Sequence, residues 1–145
     1  MNLLVEIEKE WSWAGLRPVE IVAENAFGNL IIKDDCARFW RLCPEEVYCK
    51  IVADNEKNYE NLSNNKDFID DWSMSSITAQ AIREFGPLET GWKFHLVVPG
   101  VLGGEYDLSN IVKISCVEQI RTSGTIGKQL CQVSDGEQVR IKVTE

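Results

Sequence analysis

Much of the machinery that would mark a 145-residue chain as an enzyme or a nucleic-acid binder is scarce or missing. There is a single histidine, His95, so any Ser-His or Cys-His catalytic pair must pass through it. It sits within the apolar run Lys93-Phe94-His95-Leu96-Val97, on the opposite strand face from Phe94 and Leu96, where a structural histidine is the simpler reading. No Gly-x-Ser-x-Gly elbow is present, and no Lys-Ser or Lys-Thr follows the glycines of Gly100-Val101-Leu102-Gly103-Gly104. Glu105 follows them instead and would repel a phosphate. Basic excess is lacking too: 15 Lys and Arg stand against 23 Asp and Glu, a net charge of −8, whereas phosphate contacts need clustered cations. No apolar run approaches the roughly 18 residues that cross a bilayer. Repeats and low-complexity stretches are absent.

The cysteines are few and unpaired in pattern. Cys36, Cys43, Cys49, Cys116 and Cys131 are odd in number, and the spacings among the first three miss the short separation of structural zinc pairs. They read as reduced thiols and small core residues, with no metal and no cofactor implied. Glu6, Glu8 and Glu10 near the start argue against an export signal, so a soluble cytoplasmic protein is expected.

The composition that remains, 44% hydrophobic and 26% charged, is that of a globular chain. The length suits one domain spanning residues 1–145. Leu3, Leu4, Val5, Ile7 and Trp11 outline a short amphipathic helix, with Glu6, Glu8 and Glu10 on its wet side, ended by Gly15. Strand patterns follow from Pro18 to Asn25, over Leu30-Ile31-Ile32, over Arg38 to Leu42 and over Val47 to Ile51, joined by Phe27-Gly28-Asn29, Lys33-Asp34-Asp35 and Pro44-Glu45-Glu46. Asp54 is the expected N-cap of a helix over Glu56 to Leu62. A longer helix is predicted from Lys66 to Phe85, with Ile69, Trp72, Ala79 and Ile82 on one face and Met74, Ile77, Ala81 and Phe85 widening it. Trp92 to Val98 and Ile111 to Ile114 read as strands, and Val117 to Leu130 as a helix despite Gly124 and Gly127. Asp135-Gly136 turns into a closing strand through Val139, Ile141 and Val143. The absence of βαβ alternation favours an α+β fold with a mainly antiparallel sheet, an N-terminal meander plus C-terminal strands, and central and C-terminal helices.

Acidic pairs are the commonest charged feature: Asp34-Asp35, Glu45-Glu46, Asp70-Asp71, and Glu105 with Asp107. Two-carboxylate hydrolysis requires one of a pair to be buried, and neighbours in sequence point apart, so solvated charge is the default. Five tryptophans suit core anchoring, with one or two left for an interface.

Three ordered motifs carry a resemblance. Asn25-Ala26-Phe27-Gly28-Asn29-Leu30 with Phe39-Trp40-Arg41-Leu42-Cys43-Pro44-Glu45-Glu46 is the first. Val98-Pro99-Gly100-Val101-Leu102-Gly103-Gly104-Glu105-Tyr106 with Asn110-Ile111 is the second, and Ser123-Gly124 through Lys128-Gln129-Leu130 is the third. Together they resemble a bacterial immunity family that protects type VI secretion bacteria against their own DNase effector, within a broader class of α+β immunity and regulatory domains. The resemblance implies a protein without catalytic residues that binds and neutralises a cognate effector, a nuclease with a basic surface, and touches neither nucleic acid nor membrane. A non-catalytic regulatory or scaffold domain for another cytosolic protein is the alternative, and an enzyme built on His95 with nearby carboxylates is a third class. Under the first reading the partner-binding candidates are the acidic rim Asp34, Asp35, Glu45 and Glu46 and the loop Gly103, Gly104, Glu105, Tyr106 and Asp107. Charge supports it, since residues 1–71 hold 15 acids and eight bases, −7 of the whole −8.

Overall fold

A computed structural model describes residues 2–132. The predicted Asp135-Gly136 turn and closing strand lie outside them. The chain forms α1 (Leu3–Trp11), then β1 (Pro18–Glu24), β2 (Leu30–Asp34), β3 (Phe39–Cys43) and β4 (Tyr48–Ala53). Helices α2 (Glu56–Ser63), α3 (Lys66–Ser73) and α4 (Ser75–Phe85) follow, then β5 (Trp92–Leu96), β6 (Ile111–Ser115) and α5 (Cys116–Leu130). The fold is α+β as predicted, but the strands divide into two antiparallel sheets: a meander in the order β1-β2-β3-β4 and a separate β5-β6 pair.

The central strands of the meander, β2 and β3, are covered on both faces. Leu30, Ile32, Trp40 and Leu42 point toward α1 and α5, where they pack with Ile7, Trp11 and Ile120. Ile31 and Phe39 point the other way, under Tyr59, Phe68 and Trp72 of α2 and α3, and the Phe39 and Tyr59 rings stack at 4.4 Å. Two-sided burial explains why β2 opens on three consecutive apolar residues rather than an alternation. The β5-β6 pair rests on α4 through Phe94, Leu96, Ile111 and Ala81, and Phe27 in the β1–β2 turn joins the two regions by packing on Phe94.

Helix boundaries are set by side-chain caps. Asn2, Asn55, Asn65 and Ser115 each accept a backbone N–H of the first turn they precede. The α2 cap is therefore Asn55, which accepts from Asn58 N at 2.9 Å, and not the predicted Asp54. The single helix predicted over Lys66 to Phe85 is two helices, broken at Met74, which adopts a left-handed conformation at φ 45°. Asn25 explains where the break falls: its Nδ2 donates to the Trp72 carbonyl at 2.9 Å, capturing an acceptor the helix would otherwise use. The break also rotates the faces. Ile69, Ala79 and Ile82 are exposed, while Phe68, Trp72, Met74, Ile77 and Ala81 carry the packing. Gly124 survives inside α5 because α1 passes so close that an added Cβ would lie 2.6 Å from the Glu10 carbonyl.

Candidate functional site

Three turns converge where the meander meets α3, α4 and the β5–β6 loop. In the β1–β2 turn, Asn25 Oδ1 accepts from the Phe27 and Asn29 amides, both at 3.0 Å, and Gly28 takes φ 77° against the side chain of Gln119. This turn delivers Asn29 into the interior, fully buried. Its Oδ1 accepts from Arg41 Nε at 3.0 Å, and its Nδ2 donates to both carboxylate oxygens of Glu45, at 2.8 Å to Oε2.

Arg41 stands in the middle of β3 with a side chain only 8% exposed, and its Nη1 donates to Asp71 of α3 at 2.6 Å. The guanidinium lies over the Trp72 ring at 5.3 Å and the Phe68 ring at 6.0 Å. Burial alone would lower its pKa, but the Asp71 hydrogen bond together with the fields of Tyr48, Cys43 and Asp71 outweighs burial and raises it. Glu45 completes the chain by accepting the Cys43 thiol proton at 3.1 Å. Burial lifts the Glu45 carboxyl above its usual range, with the bonds from Cys43 and Asn29 opposing that rise. Asp71, Arg41, Asn29, Glu45 and Cys43 thus form one continuous polar relay across the sheet. Burial also pushes the neighbouring Tyr48 hydroxyl up to about 12.

The loop after β5 seats on this relay. Gly100 N donates to the Glu45 carbonyl at 2.6 Å, and the Tyr106 hydroxyl donates to Glu46 Oε2. Between that loop, the β3–β4 turn and the α3–α4 junction opens a cleft of about 530 Å³. Glu45, Glu46, Asp70 and Asp71 bring four carboxylates to its lining against the one guanidinium of Arg41. A cleft so biased attracts cations and repels phosphate.

The predicted site residues do not form one rim. Glu45, Glu46 and Tyr106 meet at the cleft, whereas Asp34 and Asp35 lie at the other end of the β2–β3 hairpin, across the register that pairs Leu30 with Leu42 and Lys33 with Phe39. Asp34 is also not rim-like, because the turn folds it inward. Its two oxygens accept from the Cys36 and Arg38 amides, Arg38 Nε and the Trp40 indole, at 2.8 to 2.9 Å. Burial would raise its pKa, but the Trp40 and Arg38 donors prevail and hold it low. The ligand atoms of Asp34, Asp35 and Cys36 lie within 4.8 Å of one another, but those of Asp34 are already engaged by these four donors. Glu45 is likewise buried rather than presented to solvent, whereas Asp35 is exposed and Glu46 half-buried. Gly103, Glu105, Tyr106 and Asp107 are exposed, Gly104 is half-buried, and Asp107 is bound locally to Ser109 N at 3.1 Å.

Asn29, Arg41 and Asp71 are the functional-looking residues that the motif reading did not single out. The available signal was Arg41 itself: a lone cation inside Phe39-Trp40-Arg41-Leu42-Cys43 demands an interior partner. His95 remains structural in character. Its Nδ1 lies 3.3 Å from Gln119 Nε2, which also donates to the Phe27 and Phe94 carbonyls, and burial lowers its pKa. Among the described residues no helix is long and apolar enough to cross a membrane.

No curated protein sequence matches the chain. Among solved structures, the crystal structure of Atu4351 from Agrobacterium tumefaciens aligns at 13% identity with a TM-score of 0.48, over 68% of this chain and 50% of that one, so the chain spans half its length. A family model described as T6SS immunity protein Tdi1, C-terminal, matches residues 53–127, which run from the end of β4 into α5 and take in the whole second motif. That match covers more than half of the chain, which therefore belongs to this family of type VI secretion immunity domains.

Proposed function

We propose that the chain is a cytoplasmic, non-catalytic inhibitor of a cognate type VI effector, that the effector is a DNase, and that acidic-to-basic complementarity brings the two together. The observation that carries this reading is the cleft, whose lining opposes four carboxylates to one guanidinium at the place where two of the three motifs meet. A nuclease surface that grips DNA must be rich in Lys and Arg, and an acidic partner competes for that surface and is steered to it. Exposed Asp70 and Asp71 and half-buried Glu46 would supply contacts at the cleft, with Glu105, Tyr106 and Asp107 on the adjoining loop, Gly103 and Gly104 shaping that loop, and Asp35 a separate contact at the far end of the hairpin. Asp34 and Glu45 would act indirectly, by fixing the turns that carry Asp35 and Glu46.

Co-expression with the effector encoded beside this chain's gene tests the proposal. Survival of the host and a complex that co-purifies are expected, with affinity weakening steadily as salt rises from about 0.05 M to about 0.5 M. Continued killing with no complex would refute the inhibitor reading, and a salt-independent affinity would refute its electrostatic part.

A further inference from the structure

The loop between β5 and β6 is inverted relative to an ordinary surface loop. Five of its ten residues from Val97 to Tyr106 are large and apolar, and all five face solvent, from 38% exposed at Leu102 to 56% at Val97. Its polar anchoring is turned inward: Asn110 Nδ2 donates to the Val98 and Glu105 carbonyls at 3.0 and 2.9 Å, and Asn110 Oδ1 accepts from Val98 N at 2.9 Å. The Gly104 and Leu102 amides both donate to the Pro99 carbonyl at 3.0 Å, and Gly100 N ties the loop to Glu45. The loop is therefore fixed by its backbone, and the outward valines contribute little to that fixing. Exposed apolar side chains gathered on one short pre-shaped segment mark a docking surface rather than a folding requirement.

The structure assigns Val97, Val98, Val101, Leu102 and Tyr106 as the apolar anchor of the effector interface, an assignment that rests on the inhibitor reading above. Charge decides the occupant. Glu46, Glu105 and Asp107 flank the ridge, so the surface fits an apolar patch ringed by Lys and Arg. A second copy of this chain would oppose the same acids to one another, and an anionic membrane would meet them with like charge. Tyr106 belongs both to the ridge and to the cleft, through its bond to Glu46, so an anchored partner also reaches the carboxylates. The ridge supplies desolvated contact area, and the cleft supplies the field.

Titration of the cell-free-synthesised effector encoded beside this chain's gene tests the assignment. The proteins compared are the unaltered chain, Val101→Asp with Leu102→Asp, the milder Val101→Ser, and the control Val5→Asp on α1, where Val5 is equally exposed. Unaltered thermal melting confirms folding for each variant. The aspartate pair is expected to weaken binding about 30-fold or more, with Val101→Ser intermediate and Val5→Asp unchanged. If the unaltered chain binds and the ridge variants bind equally well, the anchor assignment is overturned and the inhibitor reading stands. If the unaltered chain does not bind, the inhibitor reading falls and the anchor with it. A concentration-dependent dimer that the ridge variants dissolve, with effector binding untouched, overturns the assignment in favour of self-association.

Discussion

The meander and the β5-β6 pair handle polarity in opposite ways. All five residues of β3 are buried, Arg41 among them, whereas β5 and β6 leave Trp92 and Val112 exposed and hand over to a loop of outward valines. The cause is coverage. Helices α1 and α5 close one face of the central strands β2 and β3 and α2 and α3 the other, so a charged side chain there must find an interior partner. The β5-β6 pair is backed by α4, with Phe27 and, from α5, Gln119 touching it from the meander side, and its outer surface is left free to carry contact residues. Left-handed backbone divides the same way. The meander holds Ala37 and Val47 at positive φ beside Gly28, while the region from Gly86 to Gly103 has only glycines there. Hydrogen bonds within the turns and the strands they join impose these conformations in the first region, and local sequence permits them in the second.

The largest test of this contrast compares two adjacent acids. Asp34→Ala strands the buried Trp40 indole and two part-buried backbone amides and should cost about 3–5 kcal/mol. Asp35→Ala, at an exposed position of the same turn, should stay within about 0.5 kcal/mol. Urea denaturation at neutral pH measures both. Because the folded Asp34 carboxyl is held below its ordinary range, its stabilisation is present above about pH 4 and is lost as pH falls through the folded value. The gap between the unaltered chain and Asp34→Ala should therefore narrow in acid. An Asp34→Ala protein as stable as Asp35→Ala would remove the claim that the meander uses its polar groups as interior structure.

These two residues also show how much was readable from sequence. Strand and turn positions in the meander follow from short apolar runs separated by Gly, Asn, Asp and Pro, which are local signals. Which acid of Asp34-Asp35 turns inward depends on the geometry of the turn, which aims the Cys36 and Arg38 amides, the Arg38 side chain and the Trp40 indole back at Asp34, and not on residue type. The helix break at Met74 is not local, because Asn25, far away in sequence, takes the Trp72 carbonyl. Periodicity laid over Lys66 to Phe85 as one helix consequently selected Ile69 and Ile82, which are exposed. The cleft was legible only in pieces: Glu45, Glu46 and Tyr106 were named, but Asn29 and Asp71 gain meaning only once Arg41 is seen between them.

A smaller effect separates the buried carboxylates Asp34 and Glu45 by sign. Glu45 is raised by burial, so its contribution is fully present below the ordinary glutamate range and is lost as pH rises through the folded value, the reverse of Asp34. Glu45→Gln retains an acceptor for one donor and removes the charge that burial penalises. Relative to the unaltered chain it should become progressively more favourable from pH 4 to pH 8, as read from thermal midpoints across that range. A difference that is flat with pH would mean that the relay neutralises Glu45 fully, and that Asn29 and Arg41 hold it as comfortably as the donors of the β2–β3 turn hold Asp34.

The smallest effect concerns the backbone that the meander imposes. Ala37 sits at φ 61° in the β2–β3 turn, exposed, with its amide donating to the Asp34 carbonyl at 3.1 Å. A left-handed alanine costs roughly 1–2 kcal/mol, and glycine removes that strain while adding entropy to the unfolded chain. Ala37→Gly should therefore gain only about 0.5 kcal/mol, a small rise in melting temperature with effector binding unchanged. If the substitution instead destabilises, the turn's conformation is held locally by Ala37 and not imposed by Asp34 and the strands around it. The meander would then resemble the β5–β6 region in relying on its own loop residues, and the contrast between an over-determined sheet and a locally shaped one would fail at its most exposed point.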